Sequence, residues 1–438
     1  MPTAGRSAES MRAGSWSRVA SWLGGISLVT LAVLLGIAGA VLGFLGAAAF
    51  TSRVPLLVAG GLGLCLGIAT GLGWLAGTLI ARARRRRIAI CVGCGTALLV
   101  VVVSSFTVFK PLVPTAEIIP LAVPPDVAFW DLPTGSRIAY REVAAIASAK
   151  KAPVIYLHGG PGAGVVSVEE LVQAFSFPAW LGHDVVLYDQ IGGGLSGRLS
   201  DVSEYTLERH VSDLEAIRLR IEAETVILIG ESWGAKLATH YLATYPDRLD
   251  RLILVSPGPL YPKEWGDRDP CDLKGTASTE IQERFERIIG PRFLAAALLL
   301  EVNPVAAHAF LPDTEGDAMA RRMISLLLPG GVCDPSKLPP GEDFAFGMWG
   351  NLMTDEDFNE RDTRIEDTLS RLETPVLILR GECDYCIPEV ASQYESMFSE
   401  STLLHVEDAG HFLWLEKPDV LAEVTGSFLS GEPGPHPH

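Results

Sequence analysis

The chain has 438 residues, of which 48% are apolar and 20% charged, and its formal net charge is -17. That length exceeds what one core needs, and the apolar fraction excludes a wholly disordered chain. The charge is divided unevenly: up to Lys110 there are ten basic residues and one acidic one, and beyond it 25 and 51, an acidic balance that excludes a nucleic-acid partner for the larger part.

The first elements are apolar and long. Leu23 to Phe50, Val54 to Ile80 and Ile88 to Phe109 carry no charge over 28, 27 and 22 residues. Each exceeds the roughly 20 residues that a helix needs to cross the hydrocarbon layer. A cleaved signal peptide would account for one segment only and has a shorter apolar core. Residues 1–110 therefore read as a membrane anchor of three spans (about 23–50, 54–80 and 88–109), with membrane lipid as partner. Arg82 and Arg84 to Arg87 join the second and third spans, and Arg6, Arg12 and Arg18 precede the first. Three spans place these two regions on one side, so the positive-inside rule puts the amino terminus in the cytoplasm and everything after Lys110 outside it.

A proline-containing stalk, Pro111 to Pro125, leads into residues 111–430, the second domain. Asp126 to Trp130 and Arg137 to Tyr140 flank Leu132-Pro-Thr-Gly-Ser136, a hairpin signal. Apolar strands then recur at Val154, Val185, Val226 and Leu252, alternating with helical patterns such as Leu207, Val211, Leu214, Ile217 and Ile221. Such alternation means an α/β architecture, a mostly parallel sheet with helices on both faces. The strand Val154 to His158 runs into Gly159-Gly-Pro-Gly162, where missing side chains let backbone amides approach a reacting carbonyl.

The strand Thr225 to Ile229 runs into Gly230-Glu-Ser-Trp-Gly234 and then a helical stretch. A sharp strand-to-helix turn of this kind exposes the serine hydroxyl at the sheet edge and makes Ser232 a candidate nucleophile, with the amide of Trp233 a candidate oxyanion donor. From Leu260 to about Glu373 the alternation stops and helical stretches occupy the chain; this insertion between the sixth and seventh strands, about 260–373, reads as a helical lid. Strand Pro375 to Leu379 then leads to Asp384, and Thr402 to Val406 leads to His411, each on a loop leaving a strand, in the order acid then histidine that such a serine requires. Glu382 and Asp408 are the rival acids. Gly431 onward, rich in Pro and Gly, is a tail that cannot pack a core.

Taken together, His158-Gly-Gly-Pro-Gly162, Asp189-Gln190 followed by Gly192, Gly194 and Ser196, Asp213 to Arg218, and Gly230-Glu-Ser-Trp-Gly-Ala235 resemble the proline iminopeptidase family of α/β-hydrolase serine peptidases. The tryptophan after the serine is the discriminating residue, and the resemblance covers about Asp126 to Ser430. It implies the α/β-hydrolase fold and release of an N-terminal residue, often proline, through an acyl-enzyme, with no cofactor and no metal. By the same resemblance Ser232 is the nucleophile, His411 the base and then acid, Asp384 its orienter, and Gly160 with Trp233 the oxyanion hole. The family usually carries arginine where this chain has Ile191 and Glu382. It binds the substrate's amine with carboxylates of the cap; here Glu264, Glu342 and Asp343 are the candidates, and Gly159 and Trp349 join Glu264 and Glu342 as candidate substrate-binding residues.

Four cysteines, Cys271, Cys333, Cys383 and Cys386, lie in the exported part, where disulfides form. Of the three possible connectivities, Cys271 with Cys333 and Cys383 with Cys386 is the expected one. Cys65, Cys91 and Cys94 fall within spans. The sequence thus predicts a membrane-anchored serine aminopeptidase acting on a peptide or small acyl substrate. A carboxylesterase or lipase using the same three residues is the alternative, and a non-catalytic receptor a third.

Overall fold

The structure, a computed structural model, describes residues 5–114, 118, 122–146, 151–338, 345–356 and 362–432. It divides into two compact units, one of residues 1–112 with 289–312 and one of residues 113–288 with 313–438.

In the first unit, α1 (Gly5–Ala48), α2 (Val54–Ile80) and α3 (Arg85–Phe106) are the three described helices long and apolar enough to cross a membrane. Small residues let α1 and α2 approach backbone to backbone: a Cβ at Gly61 would stand 2.7 Å from the Ala40 carbonyl oxygen. Close packing of this kind holds helices together where no hydrophobic driving force exists between them. Arg82–Arg84 form a short 3-10 turn between α2 and α3, and Arg85 lies over the Trp74 ring at 4.5 Å.

The second unit is built on an eight-stranded sheet of order β1-β2-β4-β3-β5-β6-β7-β8. The strands are β1 (Ala128–Asp131), β2 (Arg137–Val143), β3 (Val154–Leu157), β4 (Val185–Tyr188), β5 (Val226–Glu231), β6 (Leu249–Val255), β7 (Val376–Gly381) and β8 (Ser401–Val406). Strands β1, β2 and β4 pair antiparallel, and every pairing from β4 through β3 to β8 is parallel. Every residue of β3, β4, β5 and β7 is buried, because helices cover both faces of these inner strands. The sheet is flanked by helices such as Leu207–Arg220, whose Thr206 caps the first turn by accepting from the Arg209 amide, and Trp233–Thr244, which leaves β5 directly. This is the α/β-hydrolase fold, with the mostly parallel sheet expected from the alternation.

Between β6 and β7 the regular elements among the described residues are all helical. Residues 289–312 of this insertion, however, pack with the first unit rather than the second. The insertion's other parts are fastened to the loops after β7 and β8. The disulfides join Cys271 to Cys386 and Cys333 to Cys383, which corrects the expected pairing of Cys271 with Cys333 and of Cys383 with Cys386. The reason is topological: the two cysteines around Asp384 are each bonded to a different stretch of the insertion, one on either side of 289–312, rather than to each other.

Candidate active site

The carboxyl ends of β3, β5, β7 and β8 deliver the candidate residues to one edge of the sheet, where open parallel sheets gather their ligands. Ser232, the residue between β5 and its helix, has φ 54° and ψ -117°, a conformation that L-residues rarely adopt. The flanking glycines make the turn possible. A Cβ at Gly230 would strike the Gly234 carbonyl, and one at Gly234 would strike the carbonyl of Leu157. The Trp233 amide opens the helix, where no intrahelical acceptor exists for it.

His411 and Asp384 meet. The imidazole Nδ1–H donates to Asp384 Oδ1 at 2.8 Å, and both side chains are almost wholly buried. The same carboxylate oxygen accepts the Cys386 amide at 2.9 Å. His411 Nε2 is buried without a hydrogen-bond partner among the described residues, leaving its lone pair for a reacting group. Burial by itself would lower the imidazole pKa. The charge and hydrogen bond of Asp384, with the charge of Glu231, more than offset it and raise the pKa above the ordinary histidine value. The rival acids face elsewhere: Glu382 accepts from the Asp408 amide at 3.3 Å, and Asp408 meets Lys417 at 3.5 Å.

The loop carrying Asp384 is held from beneath and from the side. Arg380, buried, donates to the carbonyls of Gly381 at 2.9 Å, Asp384 at 3.3 Å and Cys386 at 2.8 Å. The histidine loop is held by the buried Glu416, which accepts from the amide of Gly410 at 2.6 Å and from those of Cys333 and Asp334. The His411 amide donates to the Gly331 carbonyl at 2.8 Å. One stretch of the insertion, 331–334, is therefore bonded to both loops.

Gly159 lies against the serine: a Cβ there would be 2.8 Å from the Ser232 Cβ. Gly160 has φ 43°, and its Cβ position faces Phe346. The glycine loop is shaped by His158, whose Nε2 accepts the Gln190 amide at 2.9 Å, and by Asp189, which accepts from the amides of Val165, Val166 and Leu195. The late insertion closes on this loop through the Gly347 amide, which donates to Gly162 O at 2.7 Å; Trp349, two residues on in the helix Met348–Glu356, is buried.

The other candidate substrate residues do not gather here. Glu264 is exposed on the turn Pro262–Trp265, accepts from Gln393 at 3.4 Å and lines a groove with Glu366 and Asp367 that includes none of Ser232, Asp384 or His411. Glu342 and Asp343 lie outside the described residues. Among the described residues one group, Asp384, Cys386 and His411, has donor atoms at metal-binding distances, but the Cys386 sulfur is bonded to Cys271 and offers no thiolate.

Two neighbours were not singled out in the sequence. Glu231, buried under the serine, accepts from the Tyr156 hydroxyl and from Trp414 Nε1 at 3.0 Å, and burial raises its pKa. Nothing in the motif marks it, because the position beside the serine carries many residue types. Tyr385, half-buried, has its ring centroid 4.4 Å from that of His411. Its place directly after Asp384 is the one signal that could have found it.

Residues 152–280 match the sequence profile described as alpha/beta hydrolase fold. Proline iminopeptidase of Lactobacillus delbrueckii subsp. lactis is 37% identical over 306 residues, 68% of this chain and 96% of its own. This chain belongs to the proline iminopeptidase family of α/β hydrolases. The Lactobacillus helveticus (strain DPC 4571) proline iminopeptidase is 28% identical over 289 residues, 64% of this chain and 90% of its own. Proline iminopeptidase of Mycobacterium smegmatis, a solved structure, is 21% identical and covers 70% of this chain and 98% of its own with a TM-score of 0.45. Membership of this family makes the chain a hydrolase, and three of its described N-terminal helices are long and apolar enough to cross a membrane.

Proposed function

We propose that this protein is a membrane-anchored serine aminopeptidase whose hydrolase domain, residues 111–430, works outside the cytoplasm. The observation that carries the chemistry is the buried Asp384–His411 pair, its Nε2 free, at the sheet edge that also carries a serine in a strained turn. In this reading His411 Nε2 takes the Ser232 proton as Oγ attacks the carbonyl of the substrate's first residue. The amides of Gly160 and Trp233 hold the oxyanion that forms. The imidazolium, steadied by Asp384, then gives its proton to the leaving amine, and the acyl-enzyme remains. A water molecule, deprotonated by the same nitrogen, attacks the ester and frees the N-terminal residue. The peptide substrate follows from the relatives' activity, and Gly159 and Trp349 would border the bound acyl group.

The extracytoplasmic placement is supported by the arginines between α2 and α3 and by two disulfides, which persist in oxidising compartments. Alkaline phosphatase fused after Ser430 should be active in cells; an inactive fusion of full length would reverse the orientation. For the chemistry, the full chain in nanodiscs, with Ser232→Ala as control, is given aminoacyl arylamides, their amine-blocked counterparts and acyl esters. Serine-dependent cleavage confined to free-amine substrates is expected. Ester turnover indifferent to the amine would move the protein to the esterases, and no turnover at all would make it a receptor.

A further inference from the structure

Residues 289–312 are the part of the insertion that does not belong to the hydrolase unit. They form two short helices, Pro291–Leu300 and Pro304–Phe310, the first the one shorter apolar helix described outside the spans. One side of this hairpin is buried within the first unit: Ala296, Leu299, Ala306, Ala307 and Phe310 are 0–2% exposed. Its fixings are to the ends of the spans. Asn303 caps the second helix by accepting the Ala306 amide, and its Nδ2 donates to Ala48 O, the last residue of α1, at 2.8 Å. Arg292 donates to Val108 O just beyond α3 at 3.4 Å and to Phe310 O at 2.8 Å. The Phe310 ring meets Phe44 and Phe109 edge-on, each at 5.7 Å.

The other side is apolar and uncovered. Leu294, Leu298 and Val302, four residues apart, are 55%, 51% and 43% exposed and make one stripe along the helix and its end. Water-facing helices of a hydrolase lid carry charge at such positions, as the helix Thr279–Ile288 does with Glu280, Glu283, Arg284 and Arg287. At the same end, apolar residues at the close of α1 and α3 are exposed as well, Phe50 by 91% and Phe106 by 75%. The polar side chains of Arg292 and Asn303 point the opposite way, onto the span termini, and Glu301, exposed beside Val302, is the charged residue at the stripe's end.

From this attachment to the helix ends, and from the exposed apolar residues gathered at that end, we infer that the 289–312 hairpin is seated in the bilayer leaflet at the Ala48 and Phe106 ends of the spans, with Leu294, Leu298 and Val302 against acyl chains. The occupant of the stripe is lipid, and the insertion that flanks the candidate active site is tethered to the membrane at its midpoint. At about 10 residues the first helix is too short to span and lies in the interface instead. The inference rests on the reading that α1 to α3 cross a membrane.

The test uses the full chain with Cys65, Cys91 and Cys94 changed to Ser, the four disulfide cysteines kept, and a nitroxide placed in turn at Leu298→Cys, Ala297→Cys, Leu98→Cys in α3 and Leu219→Cys on the hydrolase surface. Collision rates with oxygen and with a water-soluble nickel chelate are read in phosphatidylglycerol–phosphatidylethanolamine nanodiscs. The expected result is an oxygen-to-nickel ratio at 298 and 297 several-fold above that at 219 and approaching that at 98. A protected 98 with 297 and 298 as open to nickel as 219 would overturn the inference and leave the anchor intact. Nickel access at 98 itself would overturn the anchor and the inference with it. Leu298→Glu with Leu294→Glu supplies a second reading: the pair should leave the fold intact in detergent and shift the 297 label toward the ratio at 219.

Discussion

The insertion between β6 and β7 is two different structures in one stretch of chain. Its flanks are polar and stapled: Cys271 and Cys333 are bonded to the two cysteines around Asp384, and Glu416 ties 333–334 to the histidine loop. Its middle, 289–312, is apolar and shares a core with the spans. The difference teaches that sequence contiguity does not decide which core a segment joins. Leucine and alanine every third or fourth residue join whichever apolar surface can bury them, whereas the flanks are placed by disulfides and charged hydrogen bonds that only the two loops can supply.

If the flanks belong to the chemistry, the loops they hold must carry it. Ser232→Ala should lower turnover by about 10^6-fold with the fold unchanged by circular dichroism; a small loss would remove the serine mechanism. Asp384→Asn should cost about 10^4-fold in kcat, since the imidazole would lose its orienting partner. The pH dependence sharpens the same point. The base must be neutral, and Asp384 with Glu231 raises the His411 pKa, so kcat/KM should fall as pH drops through a value above that of ordinary histidine. In the residual activity of Asp384→Asn that acid limb should move to lower pH.

Stapling makes a prediction of its own. Cys333→Ser with Cys383→Ser opens a loop of 50 residues and should destabilise the hydrolase unit by about 2–5 kcal/mol, read as a lower denaturant midpoint. The spans, held by packing, should keep their helix content under the same conditions; simultaneous loss would mean that the two units are not separate in stability. The smallest effect is expected from Glu231→Gln. It keeps the size of the side chain beside the serine and removes a charge near His411, so the acid limb should move slightly to lower pH while KM changes little. An unchanged limb would make Glu231 a matter of packing only.

The sequence by itself determined what depends on local pattern. Three charge-free runs longer than a bilayer is thick form three helices long and apolar enough to cross one. A strand ending in Gly230-Glu-Ser-Trp-Gly234 can turn into a helix in one way, because the glycines at either end leave no room for Cβ atoms. Alternating strands and helices imposed the parallel sheet, and the sheet placed Asp384 and His411 on loops at one edge. What the tertiary structure alone decided depends on which surfaces meet. Cysteine spacing carried no signal that Cys383 and Cys386 face opposite flanks of the insertion. An apolar helix such as Pro291–Leu300 looks the same whether its partner is a sheet or a span. Glu231 became visible as a neighbour of the histidine through Tyr156 and Trp414, 75 residues before it and 183 after it in the chain, which a burial so distant in sequence brings together only on folding.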